Sequence, residues 1–234
     1  MEIHIPDRYR DGSVLILIHL YGLSYFIFFV ISFLLHHFPT SPATISRAQF
    51  VTFYSVGVLL WSLCSLVYRI LWIFWGDDAA YWERLEMAGT LALIYSTSIP
   101  YVTFASKQHS YLRSGYLSCL TILAVSKITE TLTRHPDASN NAISFRRDCV
   151  WLGLLALAPA IYTRLHTRDT PPSLAIDLVR LTGWNVLGAL CSLARIPERF
   201  GVVGNWQLSL YTMHFLLVLS NITYAQRVWD FIVQ

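Results

Sequence analysis

One carboxyl, one guanidinium and two imidazoles stand where a protein chain can least accommodate them. Glu86, Arg69, His19 and His214 all fall inside long apolar runs, as do Lys127 and Glu130 near the end of another. Ionisable groups in such runs are costly and mark candidate sites. A carboxyl walled by apolar and aromatic side chains suits acid-initiated cyclisation of a prenyl chain. The acid protonates an epoxide or an alkene, and aromatic faces steady the migrating cation. Water has to be excluded so that the cation is not quenched early. In this scheme Glu86 is the proton donor, and His214 and Arg69 orient it or hold the polar end of the substrate. His19 and Glu130 support them, and Tyr68, Tyr95, Trp206 and Tyr211 are candidate wall aromatics.

The elements that position these groups are long apolar helices. The chain has 234 residues, of which 55% are hydrophobic and 13% charged, with a mean hydropathy of +0.48. A soluble domain carries about 25% charged residues, so a solvent other than water must cover most of this surface. A transmembrane helix needs about 20 mainly apolar residues. Seven candidate spans follow in order: 13–35, 50–75, 85–105, 114–132, 149–162, 174–194 and 205–225. Pro100 and Pro159 are expected to kink theirs, which neighbouring helices tolerate in a bilayer. The expected architecture is all-α, a seven-transmembrane-helix bundle over 13–230 behind a short N-terminal segment, 1–12. The connections are short, and turn formers such as Pro171-Pro172 mark them.

Odd-numbered spans begin on the N-terminal face and even-numbered ones end there. His19, Arg69, Glu86, Lys127, Glu130 and His214 therefore share one leaflet, while Asp177 and Arg180 lie towards the other. Each also has a purely structural reading. Lys127 with Glu130, and Asp177 with Arg180, stand three residues apart and can neutralise each other on one helix face. Arg69 can snorkel to the interface, Glu86 can face headgroup water, and the histidines can be packing residues. Cys64, Cys119, Cys149 and Cys191 contain no CxxC pair and read as small apolar packing residues. The first apolar run is too long for a cleaved signal peptide. The N-terminal face carries slightly more cations, so the N-terminus is expected in the cytoplasm, with an endomembrane as the default residence. The small net charge of +3 is scattered and gives no footing for nucleic acid.

Several stretches resemble the progestin and adipoQ receptor family, the haemolysin III superfamily. The most specific is Ala194-Arg-Ile-Pro-Glu-Arg-Phe200, preceded by Leu187-Gly-Ala-Leu190, which is similar to the segment ahead of that family's seventh helix. Leu85-Glu-Met-Ala-Gly89 with Ser98-Ile-Pro100, His19-Leu-Tyr-Gly22, Ser65 to Arg69, and Ser209 to His214 resemble its third, first, second and seventh helices. The resemblance implies a zinc site with three histidines, one from the second helix and two from an HxxxH on the seventh, and a third-helix Asp beside the metal-bound water. The matching positions here hold Arg69, Leu210 and His214, with Glu86 in place of the Asp. Zinc takes three or four N, S or carboxylate ligands and an arginine opposes a dication, so no metal and no other cofactor is expected.

Some fungal relatives of the haemolysin III type are membrane-bound terpene cyclases of meroterpenoid pathways in secondary metabolism, similar in size to this chain. That analogy implies a cyclase of isomerase or lyase type acting on a hydrophobic, prenylated substrate in the lipid bilayer. The alternatives are a metal-free lipid or steroid receptor or regulator, and a weak hydrolase that uses Glu86 as a ligand in a remodelled metal site.

Overall fold

A computed structural model describes residues 7–36, 42–75, 80–105, 110–134, 138–166, 172–196, 198–201 and 207–233. Seven long helices follow one another: α1 (Asp7–His36), α2 (Pro42–Trp75), α3 (Ala80–Ala105), α4 (Ser110–Thr133), α5 (Ala138–His166), α6 (Pro172–Ala194) and α7 (Leu208–Val233). A 3-10 turn, Glu198–Phe200, precedes α7. The expected all-α, seven-helix membrane bundle is what forms. Both α2 and α6 start on a proline, where the missing backbone N–H costs nothing and the fixed φ already suits a helix. The largest departure from the sequence reading is α5, which begins eleven residues before Cys149, at Ala138. Its first turns carry Arg146, Arg147 and Asp148, and that charge hides them from an apolar-run criterion.

The distribution of polarity is that of a membrane protein. Side chains turned outward include Leu17, Phe28, Leu35, Phe74 and Ile122, each about two-thirds exposed or more. Side chains turned fully inward include His19, Ser55, Ser62, Ser65, Ser98 and Asn221. Only an apolar solvent favours that arrangement. Helices α1, α2, α6 and α7 are long and apolar enough to cross a membrane by length and composition alone. Helices α3, α4 and α5 are of similar length and are less apolar on average.

One core of Phe26, Phe33, Tyr54, Trp61, Leu178, Tyr224 and Val228 joins α1, α2, α6 and α7. A smaller one, of Leu91, Leu120, Ala124 and Leu152, joins α3 to α4 and α5. Hydrogen bonds between helices sit within these cores. Tyr54 on α2 donates to the Asn221 carbonyl on α7 at 2.9 Å. The α3 helix runs through Pro100 without a break. Proline removes one ladder donor, and the Tyr224 hydroxyl of α7 donates to the Thr97 carbonyl in the same turn at 3.2 Å. Cys64 packs in the core, and all four cysteines are unbridged.

Helices α2 and α3 approach most closely where one side or the other has no side chain. A Cβ on Gly57 would lie 2.0 Å from Ser96 Oγ, and one on Gly89 would lie 3.3 Å from the Trp61 Cα and from the Cys64 Cβ. Small residues at a helix contact let backbones come together in lipid. The antiparallel register that sets Gly57 against Ser96 and Cys64 against Gly89 carries Arg69 to Glu86.

The turn before α7 explains its own sequence. Helix α6 ends on Arg195 in the left-handed region, φ 50°. The Ile196 N–H bonds the Cys191 carbonyl at 3.1 Å and the Arg195 N–H bonds the Ser192 carbonyl at 3.3 Å, a Schellman ending with arginine where glycine is usual. Glu198 then accepts the Ser209 backbone N–H at 2.6 Å, placing an anion on the open N-terminus of α7. Partial burial pushes the Glu198 carboxyl up, but hydrogen bonds from the Ser209 N–H, its own N–H and the Ser209 hydroxyl, with the charge of Arg195, together outweigh it and hold the group below the usual carboxylate range.

Two expectations follow. Gly57→Leu forces α2 from α3 and should cost about 1–3 kcal/mol, the usual range for overpacking, whereas Gly153→Leu, with open space around it, should leave the melting temperature in detergent nearly unchanged. Glu198→Ala removes the cap and should cost about 1 kcal/mol. Because the folded carboxyl titrates lower than the unfolded one, the wild type's advantage over Glu198→Ala is full above the unfolded pKa and vanishes as pH falls through the folded one. Melting curves of the two proteins across acid pH measure this directly.

Candidate functional site

Four helices each deliver one polar side chain to a common point. On α2, Trp61, Ser65 and Arg69 are four residues apart and share a face. An Arg69 Nη2 donates to both Glu86 carboxylate oxygens, at 3.1 and 3.2 Å, from α2 to α3. The same nitrogen lies 3.4 Å from His214 Nε2 on α7. His214 Nδ1 is in turn 3.1 Å from His19 Nε2 on α1. The guanidinium also lies over the Tyr68 ring, 4.7 Å from its centre, a cation–π contact. Trp61 meets His19 edge to face at 5.1 Å.

The hydrogen bonds assign the tautomers. Arginine has donors only, so His214 Nε2 accepts from Arg69. A neutral imidazole keeps one N–H, so His214 Nδ1–H donates to His19 Nε2. The remaining proton then sits on His19 Nδ1, which is buried and has no hydrogen-bond partner among the described residues. His19 is fully buried, His214 and Glu86 are nearly so, and the side chains of the ion pair are each 12% exposed. A buried ion pair contributes little net stability, but removing one partner strands the other charge at about 3–5 kcal/mol.

The six groups expected at one depth divide into two clusters. Arg69, Glu86, His19 and His214 come together, while Glu130 and Lys127 do not join them. Lys127 bonds Glu130 at 2.8 Å, as their spacing indicated, and also reaches Asp148 on α5 at 3.2 Å. Arg134 bonds both Glu130 and Asp148. Glu130 is thus a member of an α4–α5 ion cluster and not a neighbour of Glu86, because it shares Lys127 and Arg134 with Asp148 of α5. Asp177 and Arg180 pair at 3.4 Å.

The expected wall aromatics also separate. Tyr68 lies against the cluster. Tyr95 faces Thr121 on α4, with its hydroxyl 2.7 Å from Thr121 Oγ1, and packs edge-on to Phe53. Tyr211 donates to Asp11 of α1, two helical turns before His19. Trp206 lies outside the described residues. Sequence reasoning passed over Trp61, Asp148 and Asp11. The four-residue spacing from Trp61 to Arg69 was a usable signal. Asp148 sat one residue outside the apolar run, and Asp11 lay in the segment ahead of the first.

The zinc implied by the resemblance does not fit this arrangement. His19, Glu86 and His214 do offer ligand atoms within 4.8 Å of one another. The Arg69 guanidinium, however, already binds the carboxylate and the nitrogen that would face a metal. Leu210, at the third ligand position, has no donor atom. Two clefts open elsewhere. One of about 460 Å³ between α4 and α5 includes Lys127, Arg147 and Trp151, and one of about 270 Å³ lies beside Tyr25 and Trp229. Neither is lined by a residue of the four-helix cluster.

Comparison with known proteins agrees with the geometry at the level of the fold. A heptahelical transmembrane protein, ADIPOR3 of Oryza sativa subsp. japonica, is 30% identical over 155 residues, which cover 60% of this chain and 36% of that protein. The chain therefore spans about a third of that relative's length. Residues 9–224, from the start of α1 to near the end of α7, match the Haemolysin-III related family. A match running through all seven helices shows that the chain belongs to that family.

Proposed function

We propose that this chain is a membrane-bound terpene cyclase that starts the closure of a prenylated, lipid-like substrate by proton transfer from Glu86. The observation that carries the reading is the Arg69–Glu86 pair, one guanidinium nitrogen shared by both carboxylate oxygens, inside a bundle walled by apolar and aromatic side chains. An acid strong enough to protonate an epoxide or alkene must leave behind a stabilised carboxylate. Here the guanidinium that receives that charge is already in place.

The resting pair corresponds to the carboxylate stage of the cycle. When an oxygen-bearing head of the substrate takes the Arg69 donors, Glu86 is left in an apolar site where the neutral acid is favoured, and it takes up a proton from water that it gives back when the pair with Arg69 re-forms. Its proton then passes to the substrate, the chain's π bonds close in turn, and the last cation returns a proton. No net proton is consumed. The His19–His214 pair holds the far side of the guanidinium, and Tyr68 offers it a π face. The substrate dissolves in the bilayer and reaches the bundle from there. On the same reading the N-terminus faces the cytoplasm and the host is an endomembrane.

The closed ion pair favours a second reading, a metal-free lipid or steroid receptor in which Glu86 remains ionised and ligand binding alone rearranges the pair. Turnover distinguishes the two. Protein in lipid nanodiscs should convert epoxy-prenyl substrates to cyclic products. Glu86→Gln should lower kcat by about 10²–10⁴-fold, the usual contribution of a general acid, in protein that melts lower because Arg69 has lost its buried partner but is still folded at the assay temperature. Binding without conversion by the wild type, matched by Glu86→Gln, would establish the receptor instead.

A further inference from the structure

We infer that the Arg69 guanidinium is a tethered cation standing in the place of a metal ion, and that His19, Glu86 and His214 bind a divalent transition metal once it is removed. The inference does not depend on the cyclase reading, because it concerns what the three ligands hold and not what they catalyse.

The geometry is specific. One nitrogen, Arg69 Nη2, contacts both Glu86 oxygens and His214 Nε2, from two helices other than its own. It thus gathers a carboxylate and an imidazole as a metal would. The third group, His19, is bonded to the far nitrogen of His214 and completes a two-histidine, one-carboxylate set within 4.8 Å. That set is a known composition for zinc with an open fourth position, and imidazole donors suit cobalt and nickel as well. Ligand atoms around tetrahedral zinc lie about 3.3 Å apart at its usual bond lengths, so side-chain rotation that closes the widest gap, 4.8 Å at most, by about 1.5 Å completes the set. Only one hydrogen bond of His19, from Nε2 to His214, has to break for it to turn, since its Nδ1 is engaged by nothing among the described residues. In the wild type a dication would meet a fixed positive charge bonded to two of its ligands. Without Arg69, the same pocket presents an uncompensated carboxylate and two neutral imidazoles.

Arginine therefore supplies a permanent charge that no chelator can strip, and the occupant of this site does not depend on metal supply. Cobalt(II) titration of detergent-purified, EDTA-treated protein tests the idea through its visible absorption. Arg69→Ala should bind about one cobalt per chain with tetrahedral bands, displaced by zinc, while wild type and Arg69→Lys bind none there. His214→Ala added to Arg69→Ala should abolish the bands. If Arg69→Ala does not fold, Arg69→Gln, close in shape and without charge, replaces it. A folded Arg69→Ala or Arg69→Gln that stays silent overturns the inference, as does wild-type binding of one metal that His214→Ala removes. Failure of turnover in Glu86→Gln assays bears on the cyclase alone.

Discussion

A charge taken out of water must be met by another charge, and the centre of this bundle is arranged around that requirement. Arg69 and Glu86 satisfy it for each other at about 3 Å, and each separately would be expensive in lipid. Their meeting demands that α2 and α3 lie nearly backbone to backbone, which the bare Gly57 and Gly89 permit. It also demands that α7 enter at the right height for His214, which the Glu198 cap at its first turn sets. The helix packing and the polar centre are thus one problem with one solution.

The architecture was legible because it rests on a coarse property. Seven apolar runs and scarce charge are enough to say that helices cross a bilayer. Their ends were less legible where charge enters a helix, as in α5, whose first turns hold Arg146, Arg147 and Asp148 and still wind as helix, with Asp148 paired to Lys127 of α4 and to Arg134 just past its end. Depth could be read from alternation of direction. Facing could not, since it depends on which side of a helix meets which neighbour. Glu130 shares a leaflet with Glu86 but looks towards α5, and Tyr95 looks towards α4.

Familiar motifs proved informative in different ways. The segment before α7 resembled its family most strongly, and its residues build a turn: Arg195 takes the left-handed position and Glu198 closes the helix end. The weaker matches, at His19, Arg69, Glu86 and His214, are the ones that converge on the polar centre. Strength of resemblance followed local backbone need, whereas chemistry followed convergence of distant positions.

The order in which the centre comes apart is set by its distances. Arg69 and Glu86 ride on α2 and α3, which the glycine contacts bind into one stiff hairpin. His19 and His214 ride together on α1 and α7, tied by their own bond and by Asp11 and Tyr211. The junction between the two halves at this level is the 3.4 Å approach of Arg69 to His214, the longest of the set. Loss of that one contact would leave the ion pair intact on one side and the histidine pair intact on the other, with the Trp61–His19 ring contact still bridging them.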